Sequence, residues 1–216
     1  MLEIIIGTDS NGSKVSKSLP ALRNLFVSYL EDKEIKDIQT SFILDGSYIG
    51  RLLLITKEAN QIDTSNCLFT ETYIYNNPES GTIKKKSRLF AQIIKEQKIR
   101  NDKAGDNKRT LIMIDDMWQF YPKLTSKIAI NHFRQLLQDG YKSNIHFVIG
   151  SILPYRNLLL QLMRSDMVSG NRNIIPTLGA ELHISPDGLI FFREYNSYLQ
   201  EIYSPIGEEH TLTVNL

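Results

Sequence analysis

Four apolar residues in a row, Leu111-Ile112-Met113-Ile114, run straight into two adjacent acids, Asp115 and Asp116. The run does not alternate with polar residues, so both of its faces must be covered. At this length it predicts a strand buried on two sides, as in a parallel sheet layered between helices. Open sheets of that kind hold ligands at the carboxyl ends of their strands, where the two carboxylates fall. Two readings follow. Either a core strand passes into an acidic loop, or Asp115 is a Mg²⁺ ligand and Asp116 a carboxylate that aligns an attacking water, as in phosphoryl transfer.

The rest of the chain supplies elements to build such a sheet. Leu2–Ile6 reads as a buried strand and Gly7–Lys17 as a loop rich in Gly, Ser, Asn and Asp. Ser18 and Pro20 suit a helix start, and Leu22, Leu25, Phe26 and Leu30 carry helical spacing beyond it. Ser41–Leu44 reads as a second strand, Leu52–Ile55 as a helix continuation and Cys67–Tyr75 as a third strand. Ile83–Arg100 and Ile128–Gln138 have helical periodicity, the second stopping at Gly140 as a C′ residue. Ile145–Ile149 is another buried strand, Tyr155–Arg164 a helix and Asp166–Asn173 a loop. Leu189–Phe192 and Leu199–Tyr203 are expected to pair as a C-terminal hairpin. Alternating strands and helices predict an α/β fold with three layers and a mainly parallel central sheet.

Composition narrows the function classes. At 216 residues and 42% hydrophobic content the chain is long enough for one sizeable core. No apolar run reaches the length of a membrane-spanning helix, and the first residues show no charged-then-apolar leader. The single cysteine, Cys67, excludes an internal disulfide framework and suits a reducing compartment. A net charge of +1 gives no electrostatic footprint for nucleic acid. The abrupt start, with Ile4-Ile5-Ile6 just after Met1, suggests a piece of a longer protein.

A phosphate-binding loop needs G-x-x-x-x-G-K-[ST] between a strand and a helix, because its backbone N–H groups and lysine cradle the phosphates. Gly7 to Ser18 reads G-T-D-S-N-G-S-K-V-S-K-S. Gly7 and Gly12 have the required separation, with Asn11 between them. Ser13 then intervenes before Lys14, and Val15 occupies the place of the Mg²⁺-binding hydroxyl. Lys17-Ser18 is the other candidate pair, but no glycine precedes it. Asp9 adds a negative charge that opposes a polyphosphate, and the helix expected at Pro20 starts late. Gly7, Asn11, Gly12, Ser13 and Lys14 are therefore the candidate nucleotide contacts of a loop that has drifted, and a bare Gly/Ser turn is the alternative.

The order of these segments resembles the FtsK/SpoIIIE-like branch of P-loop motor ATPases, with a RecA-like core of the ASCE type. That family has a Gly-Arg pair, then G-I-H, three apolar residues and A-T-Q-R-P. Here Gly140-Tyr141, Asn144-Ile145-His146 and Phe147-Val148-Ile149-Gly150-Ser151-Ile152-Leu153-Pro154 keep the spacing. Asp45 matches the acid after the family's second strand. The helix ahead of the family's Mg²⁺ acid resembles Ser87–Arg100, and Gly179-Ala180-Glu181 and Asp187–Phe192 resemble its closing segments. The likeness runs from Ile4 to Pro205 within one domain, 1–216.

The departures fall on chemistry. Asp116 stands where the family has a catalytic Glu, Ile152 replaces the sensor Gln, Leu153 the adjacent Arg and Tyr141 the arginine of the Gly-Arg pair. Lost arginines of this kind are worth about 10³–10⁵ in phosphoryl transfer. The resemblance is greatest to the C-terminal, degenerate ATPase domain of EssC-type coupling proteins of type VII secretion. It implies weak or no hydrolysis, with ATP and Mg²⁺ at most weak ligands, and recruitment of small helical secreted substrates. It also implies neighbouring ATPase domains in the same chain, compatibility with an oligomer of the full-length protein, and a cytoplasmic place at the inner face of the membrane. The alternative is an active motor that translocates protein or DNA.

Among single residues, His146 reads as a core histidine. Trp118 is either core or an aromatic anchor of the type enriched at binding hot spots. Leu158, Leu159, Leu160, Leu162 and Met163 cover more than one helical face. With Trp118, residues Leu159, Leu162 and Met163 are the candidate groove for a partner helix, and burial under the tail hairpin is the alternative. Lys84-Lys85-Lys86 reads as a solvated face.

Overall fold

A computed structural model describes residues 3–8, 11, 13–18, 23–28, 49–58, 70–76, 83–102, 109–124, 126–152, 180–184, 189–194 and 209–213. The apolar run ahead of the acids is strand β6, Arg109–Ile114, and residues 110–114 are all buried. Around it the described strands are β1 (Glu3–Thr8), β2 (Lys14–Ser18), β3 (Leu25–Ser28), β4 (Ile49–Thr56), β5 (Thr70–Ile74), β7 (Ile145–Ser151), β8 (Ala180–Ile184), β9 (Leu189–Glu194) and β10 (Glu209–Thr213). They form one ten-stranded sheet in the order β2-β1-β10-β9-β8-β3-β7-β6-β4-β5. From β8 to β5 every pairing is parallel. From β2 to β8 every pairing is antiparallel.

The parallel half is the expected α/β core. Its strands need cover on both faces, and helices α1 (Ile83–Asp102) and α3 (Lys127–Asp139) supply one side. Phe90, Ile93 and Ile94 of α1 and Phe133, Leu136 and Leu137 of α3 join Leu53, Ile55, Ile112, Ile114 and Phe147 of the strands in one buried cluster. Phe133 sits at its centre, with ring centroids 5.2 Å from Phe90, 5.7 Å from Phe147 and 6.3 Å from Phe120. Edge-to-face and tilted pairs at these separations add to the area term.

Several expectations change. Leu25–Ser28 is no helix: Leu25, Phe26 and Val27 are wholly buried between β7 and β8. The spacing of Leu22, Leu25, Phe26 and Leu30 mimicked a helical face, yet three contiguous apolar residues also suit a strand buried on two sides. Leu52–Ile55 likewise lies within β4, where flanking strands β5 and β6 override its helix propensity. Gly7–Lys17 is not one loop, because β1 continues through Thr8 and Lys14–Ser18 forms β2. Leu189–Phe192 lies in β9, which pairs antiparallel with β10 and with β8, and its expected partner Leu199–Tyr203 lies outside the described residues. Ser41–Leu44, Tyr155–Arg164 and Asp166–Asn173 lie outside the described residues.

Gly140 ends α3 with a helical φ of −57°, and the left-handed residue after it is Asn144 at φ 57°. A glycine is needed there for closeness instead. A Cβ at position 140 would lie 3.1 Å from the Ile145 carbonyl oxygen and 3.3 Å from the Ile145 Cβ.

Candidate functional site

In this sheet the crevice is fixed by topology. β3 lies between β7 and β8, and the chain leaves it in one direction to β4, β6 and β7 and in the other to β8. That is the switch point where open α/β sheets take their ligands, beyond the carboxyl ends of the strands. The register brings Ser28 of β3 opposite Ser151 of β7, and Ile114 of β6 opposite both Ile149 of β7 and Ile55 of β4. Ser28, Thr56, Asp116 and Ser151 at these strand ends are all buried. Ile152, just past β7, is 44% exposed and presents an aliphatic group where the resemblance implies a glutamine.

The two acids hold the strand ends together. Asp115 Oδ2 accepts the Lys57 backbone N–H at 2.6 Å, and Oδ1 accepts the Asp116 N–H at 2.6 Å. The Asp115 N–H in turn donates to the Ile55 carbonyl at 3.1 Å. Burial pushes the Asp115 carboxyl above its ordinary range. The backbone N–H groups of Lys57 and Asp116 and the Tyr75 hydroxyl pull it back, while the neighbouring Asp116 charge raises it. Asp116 is 3% exposed and caps the short helix α2, Met117–Phe120, with Oδ1 accepting the Trp118 N–H at 2.9 Å. Both carboxylates therefore point their described bonds into the fold.

The Gly7–Lys14 segment is elsewhere. Gly7 pairs with Val15 and Thr8 with Lys14 in an antiparallel hairpin, with Asn11 in its turn and a register shift between Ile5 and Gly7. Gly12 lies outside the described residues. A phosphate cradle requires a helix after the loop, and here β2 follows instead. From β1 to β6 the sheet order has six steps, which at about 4.8 Å each is about 29 Å along the sheet. Lys14 and Asp115 cannot share one phosphate across that distance. Gly7, Asn11, Ser13 and Lys14 are thus corrected from a drifted phosphate loop to a hairpin at the sheet's antiparallel end.

The strand that leads into the crevice is β3, two steps from β6. After it the sequence reads Ser28-Tyr29-Leu30-Glu31-Asp32-Lys33-Glu34, and no glycine occurs from Asn24 to Asp45. Reading this segment as a helix hid its importance. The signal that would have found it is the contiguous trio Leu25-Phe26-Val27.

Asp115 is engaged by two backbone N–H groups, Asp116 is buried as a helix cap, and the lysine assigned to the phosphates is at the other end of the sheet. Trp118 is half-buried and packs against the core cluster. Leu159, Leu162 and Met163 lie outside the described residues. His146 is a core histidine, 1% exposed, whose Nδ1–H donates to the Arg23 carbonyl at 2.6 Å.

No protein-family model and no curated protein sequence matches the chain. Solved structures do. The cytoplasmic domain of the type VII secretion ATPase EccC from Thermomonospora curvata matches 99% of this chain with a TM-score of 0.64 and 14% identity. ATPases 2 and 3 of T. curvata EccC, in complex with a signal sequence peptide, match with a TM-score of 0.58 and 12% identity. The pCW3 conjugation coupling protein TcpA, with ATPγS, matches with a TM-score of 0.59 and 8% identity. The chain spans 26%, 40% and 66% of those three chains. Its α/β fold is similar to that of these ATPase and coupling-protein structures, and at these identities the likeness is one of fold.

Proposed function

We propose that this chain is a coupling-protein domain of a type VII secretion system that recruits small helical secreted substrates and hydrolyses ATP weakly or not at all. The observation that carries this reading is the strand entering the crevice. β3 leads toward the crevice, and the sequence from Asn24 to Asp45 has no glycine, whereas a phosphate loop is built on glycines. The acids at the end of β6 are bound into the fold, as described above. A domain that keeps the sheet and lacks the phosphate groups is suited to binding rather than turnover.

Two further points support recruitment. One structural neighbour, EccC, is bound to a signal sequence peptide, and two neighbours hold ATPases 2 and 3 in one chain, of which this chain spans 40%. The proposed substrate contacts are Leu159, Leu162 and Met163, from an apolar run that exceeds one helical face in the sequence, together with Trp118. Its other partners are neighbouring ATPase domains of the same polypeptide, at the cytoplasmic face of the membrane. No helix among the described residues is long and apolar enough to cross a membrane.

The experiment is capture of small secreted proteins of the same system by the full-length protein, with wild type beside Leu159→Glu and Leu162→Glu. The reading predicts capture by wild type and loss in both variants at unchanged melting temperature. Equal capture by all three, or none by wild type, contradicts it.

A further inference from the structure

The parallel half of the sheet ends at β5, and among the described residues no strand pairs with its outer edge. Natural sheets blunt such edges with lysine, proline, a bulge or a cover, because unpaired N–H and C=O groups template further pairing. β5 reads Thr-Glu-Thr-Tyr-Ile, with no lysine and no proline, and its ladder with β4 runs without a register shift. β-branched and aromatic residues of this kind favour strand pairing. An open groove of about 550 Å³ lies beside the edge, lined by Arg51 of β4, Glu71 of β5 and Gln92, Lys95, Glu96 and Ile99 of α1.

The groove carries both charges in equal number, Arg51 and Lys95 against Glu71 and Glu96. Arg51, 12% exposed, reaches Glu71 through Nη2 and Glu96 through Nη1, each at 2.5 Å and each at the Oε2 oxygen. The two carboxylates are 40% and 39% exposed, and their second oxygens are left for another group. Lys95 is exposed and makes no ion pair among the described residues. Gln92, Lys95 with Glu96, and Ile99 recur at helical spacing, so α1 turns one stripe to the groove. Ile99, at the end of that stripe, is 46% exposed.

We propose that this edge and groove form a two-fold interface between copies of this chain. β5 pairs antiparallel with β5 of a second copy, and the two α1 stripes pack beside the joined strands. A two-fold contact uses the same patch twice, so the patch must complement itself. Equal numbers of positive and negative groups meet that condition: Lys95 of one copy faces the second oxygens of Glu71 and Glu96 in the other. A patch of one sign would suit a partner of opposite charge instead. A sheet continued across the axis also gives the edge N–H and C=O groups of Thr70–Tyr73 their partners. The proposal is independent of substrate recruitment, which was assigned to other residues.

The test is sedimentation of the full chain over a range of concentrations, with Lys95→Glu and Thr72→Lys beside wild type. Thr72 is exposed, and a lysine there sets like charges together near the axis. Both are surface positions, so the monomer fold is expected to persist. Wild type is expected to pass from monomer to dimer as concentration rises, and each substitution to weaken dimerisation by about tenfold or more. Amide exchange at Thr70–Tyr73 is expected to slow as the wild-type dimer forms. A wild type that stays monomeric at every concentration, as it would if the edge takes an extended peptide or a different domain, overturns the proposal. Dimerisation that either substitution leaves intact, or that leaves exchange in β5 unchanged, overturns it as well.

Discussion

Asn24 donates its side-chain Nδ2–H to the Leu137 carbonyl at 2.8 Å, while its Oδ1 accepts the Phe147 N–H at 3.1 Å. One amide thus ties the entry to β3 to the last turn of α3 and to the second residue past the start of β7. Asn24 is 1% exposed, so both backbone groups depend on it. Asn24→Ala is expected to cost about 2–4 kcal/mol, since a buried group left without a partner costs about 1–3 kcal/mol each. Urea denaturation checks it, and Asn24→Leu should be no better because shape is restored without the bonds.

Phe133 tests the core. It is 1% exposed and contacts the rings of Phe90, Phe120, Tyr121 and Phe147. Phe133→Ala is expected to lose about 3–5 kcal/mol, and Phe133→Leu distinctly less, in chemical denaturation.

Gly140→Ala should destabilise despite a φ that alanine tolerates. The added methyl meets the Ile145 carbonyl at 3.1 Å, and overpacking of this kind costs about 1–3 kcal/mol. Chemical denaturation checks it, and because the crowding atoms are the Ile145 carbonyl oxygen, Cβ and Cγ2, Ile145→Val, which keeps all three, should bring no relief in a double mutant.

His146 sets a pH dependence. Burial lowers its pKa below the ordinary 6.5, the Arg23 carbonyl raises it in part, and the Arg109 charge lowers it further. The unfolded chain therefore binds a proton at His146 before the folded one does. Its contribution is fully present above about pH 6.5 and declines as pH falls from there toward the depressed value. Melting temperature should drop through that window in wild type and drop less in His146→Asn. Equal slopes in the two proteins would contradict the assignment.

Much of the parallel core was legible in the sequence. Leu111–Ile114 could be read because an apolar run bounded by acids has few other uses, and α1 and α3 because their apolar positions repeat at helical spacing. β3 was not legible: four residues are too few to show a period, and Leu22 and Leu30 completed a false helical face. The hairpin misled for a chemical reason. Tight turns and phosphate loops both recruit Gly, Asn, Asp and Ser, so Gly7 to Lys14 satisfied one pattern while serving the other. Gly7 itself marks the register shift in β1, a common use of glycine in a strand. Asn11-Gly12 is a hairpin signal in its own right. The bond from the Lys57 N–H to Asp115 was illegible because the two residues are 58 positions apart.

The proposed function requires an ATPase-like sheet without a working phosphate site. Titration of the full chain with Mg²⁺ and ATPγS, followed by calorimetry and melting temperature, measures it directly. No heat and no shift in melting temperature are predicted. Micromolar binding, lost in Asp115→Asn and accompanied by ATP turnover in wild type, would contradict it and make the chain a motor.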